Sequence, residues 1–173
     1  MTIPDKLITT YLEIQHKSDF QPTFVEDDGS FYIKTMDFPD LAFYRFLYTE
    51  VGKIWKWRDR LLLDDEKLFD ILASPKTKIY VLYVQGAPAG YIELAVQNDD
   101  VEIAYFGLRE QFFGKGFGKH LLSHGVNKAW EIGAKRIWLH TCNLDGPQAL
   151  TNYQKRGFQV YDVVEEPMPQ RYE

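Results

Sequence analysis

Glycines at 114, 116 and 118, in the run Phe113-Gly-Lys-Gly-Phe-Gly-Lys119, constrain this chain more than any other feature. Ahead of them, Val101 to Leu108 reads as a strand. Behind them, Gly116 to Gly133 reads as a helix, with Leu121, Leu122, Gly125, Val126, Ala129 and Trp130 recurring at intervals of three and four. Glycines strip side chains from the turn, so main-chain N–H groups can approach a ligand closely. The start of a helix adds partial positive charge. Strand, glycine turn and helix N-terminus together suit a phosphate or pyrophosphate. Arg109, Lys115 and Lys119 surround the turn in a chain whose net charge is −5. That overall charge disfavours a general nucleic-acid surface, and no nucleic-acid partner is expected.

The remaining pattern fits one α/β domain over residues 1–173. Strands are predicted from Leu7 to Ile14, Phe31 to Met36, Ile79 to Val84, Gly90 to Val96, Arg136 to Cys142 and Phe158 to Val163. Glu26 to Ser30 is a turn. A helix over Pro39 to Val51, capped by Asp37, presents Leu41, Tyr44, Phe46, Leu47 and Tyr48 as its apolar stripe. A second runs from Asp64 to Ala73, and a third from Pro147 to Arg156 with Asp145 as its cap and Gly157 as its end. The order β-β-α-α-β-β-β-α-β-α-β implies a mixed, mostly antiparallel sheet with helices on both faces and a central three-strand meander. Cys142 stands alone, so no intrachain disulfide can form. The first residues lack a basic-then-apolar leader, and no apolar run approaches the ~20 residues of a membrane span. A cytoplasmic protein with no membrane partner is expected.

Two phosphate-binding patterns fail on spacing. The nucleoside-triphosphate loop G-x-x-x-x-G-K-[ST] needs wider glycines, and His120 stands where Ser or Thr should meet magnesium. The dinucleotide fingerprint needs G-x-G-x-x-G after the first strand of a βαβ unit, with an acid downstream. Here the run is G-x-G-x-G, follows a meander, and leads to Ala134 and neutral neighbours. A dinucleotide-binding oxidoreductase remains an alternative.

Phe113-Gly-Lys-Gly-Phe-Gly118 resembles the acyl-CoA signature [QR]-x-x-G-x-[GA] of the GNAT N-acetyltransferase superfamily. Asn152-Tyr-Gln-Lys-Arg-Gly-Phe158 resembles its Tyr-bearing helix and following Gly-Phe. The β-order is also similar to the family's, and the likeness is tightest over residues 79–160. Two positions depart from it. Phe113 replaces the usual Gln or Arg, and Gly146 stands where an Asn often contacts the pantetheine arm, a contact that Asn143 or Asp145 would then supply.

The resemblance implies transfer of an acetyl or longer acyl group from acetyl-CoA to an amine, by direct attack within a ternary complex. Gly114, Lys115, Gly116, Phe117, Gly118 and Lys119, with Phe113, would hold the cofactor's phosphates. Phe106 and Leu108 would offer main-chain contacts, one of them to the oxyanion. Gly107 would ease a bulge at Tyr105 to Leu108 that splays this strand from its parallel neighbour. Tyr153 matches the family's acid for the leaving thiolate. An amine must lose a proton before attack. Glu102 is the candidate base, sharing a face with Ala104 and Phe106 by strand alternation; Glu93 is the alternative. Trp55, Trp57, Arg58 and Arg60 fall where the family lines its acceptor site, Tyr91 and Tyr105 are further pocket candidates, and His140 is a candidate substrate or relay residue. Cys142 reads as a small buried thiol rather than a nucleophile. His120 and His124 lack the Glu of a zinc-protease pair, so no metal is expected. The acceptor, small molecule or peptide, is unspecified. A homodimer is the family habit, and a non-catalytic acyl-CoA sensor of the same fold is a further alternative.

Overall fold

A computed structural model describes residues 2–172. Among these, the period-two runs form seven strands and the three-to-four repeats form four α-helices. In chain order they are β1 (Lys6–Ile14), β2 (Phe31–Thr35), α1 (Leu41–Gly52), α2 (Asp65–Ala73), β3 (Thr77–Val84), β4 (Ala87–Gln97), β5 (Asp100–Leu108), α3 (Phe117–Glu131), β6 (Arg136–Cys142), α4 (Ala149–Lys155) and β7 (Gln159–Pro167). The strands form one sheet in the order β2-β3-β4-β5-β6-β1-β7. Every pairing is antiparallel except β5 with β6. The expected mixed α/β sheet, with its β3-β4-β5 meander, is therefore what the chain forms.

Although consecutive in sequence, β1 and β2 lie far apart in the sheet. The segment joining them crosses α3, where Thr23 N donates to Ser123 Oγ at 2.9 Å and Val25 N donates to His120 Nδ1 at 3.1 Å. His120 thus anchors this crossing, and His124 lies edge-on to Tyr80.

Strand alternation divides the core between the two faces of the sheet. Ile92 and Leu94 of β4 join Leu121, Leu122 and Val126 of α3 in one cluster. Tyr91, from the other face, joins Tyr44, Leu47 and Val51 of α1 and Leu68 of α2 in the second. Each fully buried Leu or Val contributes about 1.5–3 kcal/mol relative to exposure. Gly125 lets α3 lie close on β4, because a Cβ there would stand 2.3 Å from Ile92 Cδ1. Phe46 is the exception to the α1 stripe: it is exposed, with the Arg109 guanidinium over its ring.

The helix ends correct two of the expected caps and bear out a third. Asp40, not Asp37, caps α1, accepting from Phe43 N at 2.9 Å. Asp64 caps α2 through Lys67 N, as its position suggested. Asp145 does not cap α4: its carboxylate accepts from Thr141 Oγ1 at 2.6 Å and Cys142 N at 2.9 Å, bracing the end of β6. Helix α4 consequently starts later than predicted, at Ala149, and Gly157, at φ +102°, terminates it.

Candidate active site

The site begins where two strands part. Glu102 is the last residue of β5 paired with β6, through Trp138. Beyond it β6 continues along β1 to Cys142, while β5 continues along β4 to Leu108. A cavity of about 880 Å³ runs between them, lined by the glycine turn, the loop 144–148, α4, the segment after α1, and Tyr172. Small-molecule sites occupy ~300–1,000 Å³. The parting was expected, but the bulge lies elsewhere than Gly107. Leu94 pairs with Ile103 while Glu93 pairs with Tyr105, so Ala104 is the extra residue. This reverses the alternation. Ile103, Phe106 and Leu108 pack with the α3 cluster, and Tyr105 with the α1 cluster. Glu102, opposite Ala95, therefore shares its face with Tyr105 rather than with Phe106. Gly107 is instead needed for the approach of α1, since a Cβ there would lie 2.6 Å from Val51 Cγ1.

The turn itself is open. Gly114 and Gly116 hold φ of +78° and +82°, and nothing lies within 4 Å of a Cβ built on Gly114. Gly116 caps α3 with no side-chain partner, leaving the first N–H groups of the helix available. Phe113, Gly114, Gly116, Gly118 and Lys119 line the cavity, as do Phe106, Gly107 and Leu108. Lys115 is exposed and outside the lining, and the Phe117 side chain turns into the core against Phe31. Arg109 is already committed to Pro88 O, at 2.9 Å, and to the Phe46 and Phe112 rings.

Glu102 and Tyr153 both line the cavity. Burial raises the Glu102 pKa above its ordinary value, with His140 and a 2.9 Å hydrogen bond from Gln97 Nε2 to its Oε2 opposing. The Tyr153 ring is buried edge-on against Phe106 and Phe158, and burial, with Asp145 nearby, lifts its hydroxyl well above the ordinary range. It stays protonated at neutral pH. His140 and Cys142 also line the cavity, with His140 tilted against Tyr11 at 5.6 Å. Burial, followed by Asp145, pushes the Cys142 thiol up to about 11, unsuited to a nucleophile.

Other candidates take different places. Glu93 is 1% exposed and outside the lining: Oε1 accepts from Tyr44 Oη at 2.7 Å and Oε2 from Arg60 Nη2 at 2.6 Å. Tyr91 is fully buried on the same face, its hydroxyl without a hydrogen-bond partner among the described residues. Both are covered because their face of β4 lies beneath α1. Asn143 is turned away from the cavity, accepting from Ile8 N at 3.0 Å and donating to Lys6 O at 2.9 Å. Trp55, Trp57 and Arg58 do line the cavity, Trp57 packing at 5.3 Å from both Tyr48 and Tyr105.

Sequence reasoning gave no role to several lining residues, Asn152, Lys155, Asp59 and Tyr172 among them. Asn152 carries a buried Oδ1 with no hydrogen-bond partner among the described residues, and Lys155 lies one turn beyond it on α4. Their spacing beside Tyr153 was a usable signal. Asp59 and Tyr172 had none, because they meet only through folding: Arg171 pairs with Asp59 at 3.0 Å and lies over the Tyr172 ring.

An open sheet parted after Glu102, with a glycine turn at the start of the next helix, is the arrangement expected from the resemblance to N-acetyltransferases. The sequence profile of the Acetyltransferase (GNAT) family matches residues 41–158. The chain belongs to that family. It is 30% identical over 115 residues to an uncharacterized N-acetyltransferase in the pepI 3'region of Lactobacillus delbrueckii subsp. lactis, covering 58% of this chain and 66% of that one. It is 31% identical over 112 residues to the uncharacterized N-acetyltransferase YvbK of Bacillus subtilis (strain 168), covering 57% and 72%. Its fold matches that of a GCN5-related N-acetyltransferase from Kribbella flavida, with TM-score 0.64, 16% identity and coverage of 91% of this chain and 56% of that one. The chain thus spans about two thirds of the first relative and little more than half of the Kribbella protein. No helix among the described residues is long and apolar enough to cross a membrane.

Proposed function

We propose that this chain transfers an acetyl group from acetyl-CoA to a primary amine, by direct attack within a ternary complex. The observation that carries the reading is one cavity joining the open glycine turn, the gap between β5 and β6, and the side chains of Glu102 and Tyr153. The residues present fit the donor. The glycine turn offers unblocked N–H groups to a pyrophosphate, with Lys119 and Lys155 as nearby cations. The orphaned Asn152 Oδ1 can accept an N–H from an amide-bearing arm. Bound acetyl-CoA supplies an activated thioester carbonyl.

The chain's own groups supply proton transfer and positioning. The raised pKa of Glu102 suits it to take a proton from an ammonium, directly or through water. Tyr153 Oη, protonated at neutral pH, is suited to deliver one to a leaving thiolate. Beyond Glu102, the β6-facing main chain of β5 is unpaired by that strand and can hold a developing oxyanion. The aromatic walls of Tyr48, Trp57 and Tyr105 suit an approaching ammonium.

A free-thiol release assay with acetyl-CoA against a panel of amines tests the reading, preceded by thermal-shift measurements with acetyl-CoA, ATP and NADH. Stabilisation by acetyl-CoA alone, and thiol release with at least one amine, are expected. Stabilisation by NADH and not by acetyl-CoA would return the dinucleotide alternative.

A further inference from the structure

Trp55, grouped with the acceptor residues by its place in the sequence, makes its contacts with the glycine turn and with the loop after β6. It sits in a 3-10 turn, Lys53–Trp55, directly after α1. Its ring is stacked on that of Phe113, with centroids 6.4 Å apart and planes 22° from parallel. It also lies against Gly146, where a Cβ would stand 2.9 Å from Trp55 Cη2 and 3.3 Å from Cζ2. Gly146 is not among the residues of positive φ, so its backbone conformation does not call for glycine. Room for the indole does.

Phe113 opens the glycine turn after β5, and Gly146 lies in the loop after β6. One ring therefore touches both walls of the gap that opens where these strands part, and it lines the same cavity. We infer that Trp55 roofs the donor channel, resting on Phe113 and Gly146, and retains the donor's arm rather than selecting the acceptor. This rests on the proposed acyl-CoA reading for the identity of the donor alone. The two positions at which the chain departs from the GNAT signature are the two that Trp55 touches. A roof must open before a ligand leaves, so its removal acts chiefly on the dissociation rate.

The test is stopped-flow release of bound coenzyme A from the full chain, which needs no acceptor. Trp55→Ala is expected to release coenzyme A about tenfold faster than wild type. Gly146→Ala keeps the indole but displaces it, and is expected to act in the same direction. Trp55→Phe, which restores a ring over the gap, should return most of the retention. Thermal melts check that each variant is folded, and Gly146→Ala decides if Trp55→Ala is not. Release from folded Trp55→Ala or Gly146→Ala at the wild-type rate would overturn the inference alone. Failure of the wild type to bind coenzyme A would overturn the donor reading itself, and this roof with it.

Discussion

The two ends of the cleft are built from different materials. At the donor end the working parts are main chain: a glycine turn, the first N–H groups of α3, and a strand edge left unpaired after Glu102. At the other end they are side chains from distant segments. Arg60 lies 5.1 Å over the Tyr105 ring while its guanidinium binds Glu93, which also takes the Tyr44 hydroxyl. A main-chain site depends on φ angles and on the absence of Cβ atoms. A side-chain site depends on every partner being present, because each buried charge is tolerable only when paired. Apart from the Trp55 roof, the donor end should therefore tolerate changes of side chain and fail on added bulk, and the other end should do the reverse.

The buried ion pair gives the largest contrast. Glu93→Ala leaves Arg60 and Tyr44 without their acceptor, and is expected to cost about 3–5 kcal/mol of stability. Urea unfolding measures this, and an Arg60→Met, Glu93→Leu double variant should recover much of the loss. A single variant that loses under ~1 kcal/mol would mean the aromatic cluster of Tyr48, Trp57 and Tyr105 holds this end without the pair.

Glu102 stands between the two ends and separates chemistry from binding. Glu102→Gln should lower turnover about 100-fold, or about 2.7 kcal/mol, for whichever amine the thiol-release panel identifies. Coenzyme A affinity should stay within about twofold of wild type, since the carboxylate faces Tyr105 rather than the glycine turn. An equal loss in affinity and turnover would make Glu102 part of the donor site.

The difference in material also decides what was legible. The glycine turn, the order of elements and Tyr153 beside Gly157-Phe158 are local patterns, and local patterns survive in a linear reading. The Ala104 bulge is not local. It appears only when β4 is set against β5, and it moves Glu102 off the face assigned by simple alternation. Glu93 read as the alternative base because it lies on the strand beside that of Glu102. Its place there is explained by Arg60, 33 residues earlier. Asn143 is likewise explained by the edge of β1, more than 130 residues away, whose placement beside β6 no local pattern revealed.

Within the donor end, Gly114 and Gly118 make a paired test. Gly114 holds φ +78° in open space, so Gly114→Ala should cost about 1–2 kcal/mol through backbone strain. Gly118 has an ordinary helical position and 3.9 Å of clearance to Leu108. Gly118→Ala should leave stability unchanged or raise it by about 0.5 kcal/mol. Gly114→Ala should weaken coenzyme A binding, as read by calorimetry, whereas Gly118→Ala should bind within about twofold of wild type, because the signature accepts Ala at that position. Equal losses in the two variants would mean that bulk, and not the φ of the turn, limits this end of the cleft.

The smallest effect has a definite sign. Burial raises the Glu102 pKa above the ordinary 4.5 in the folded chain, whereas the unfolded chain keeps the ordinary value. The folded state therefore binds this proton more tightly. Its contribution favours folding below the unfolded pKa and is lost as pH rises through the folded one. At neutral pH the wild type carries the cost of a partly desolvated carboxylate, which Glu102→Gln removes. Paired thermal melts should show the variant equal to or above wild type at about pH 7–8, with the advantage shrinking as pH falls toward 4.5. The same shift moves the acid limb of the wild-type turnover profile upward from the ordinary Glu value. A variant less stable than wild type at pH 8 would reverse the argument. Glu102 would then be a structural partner of Gln97, and the side-chain end of the cleft would extend one residue further along β5 than the parting of the strands suggests.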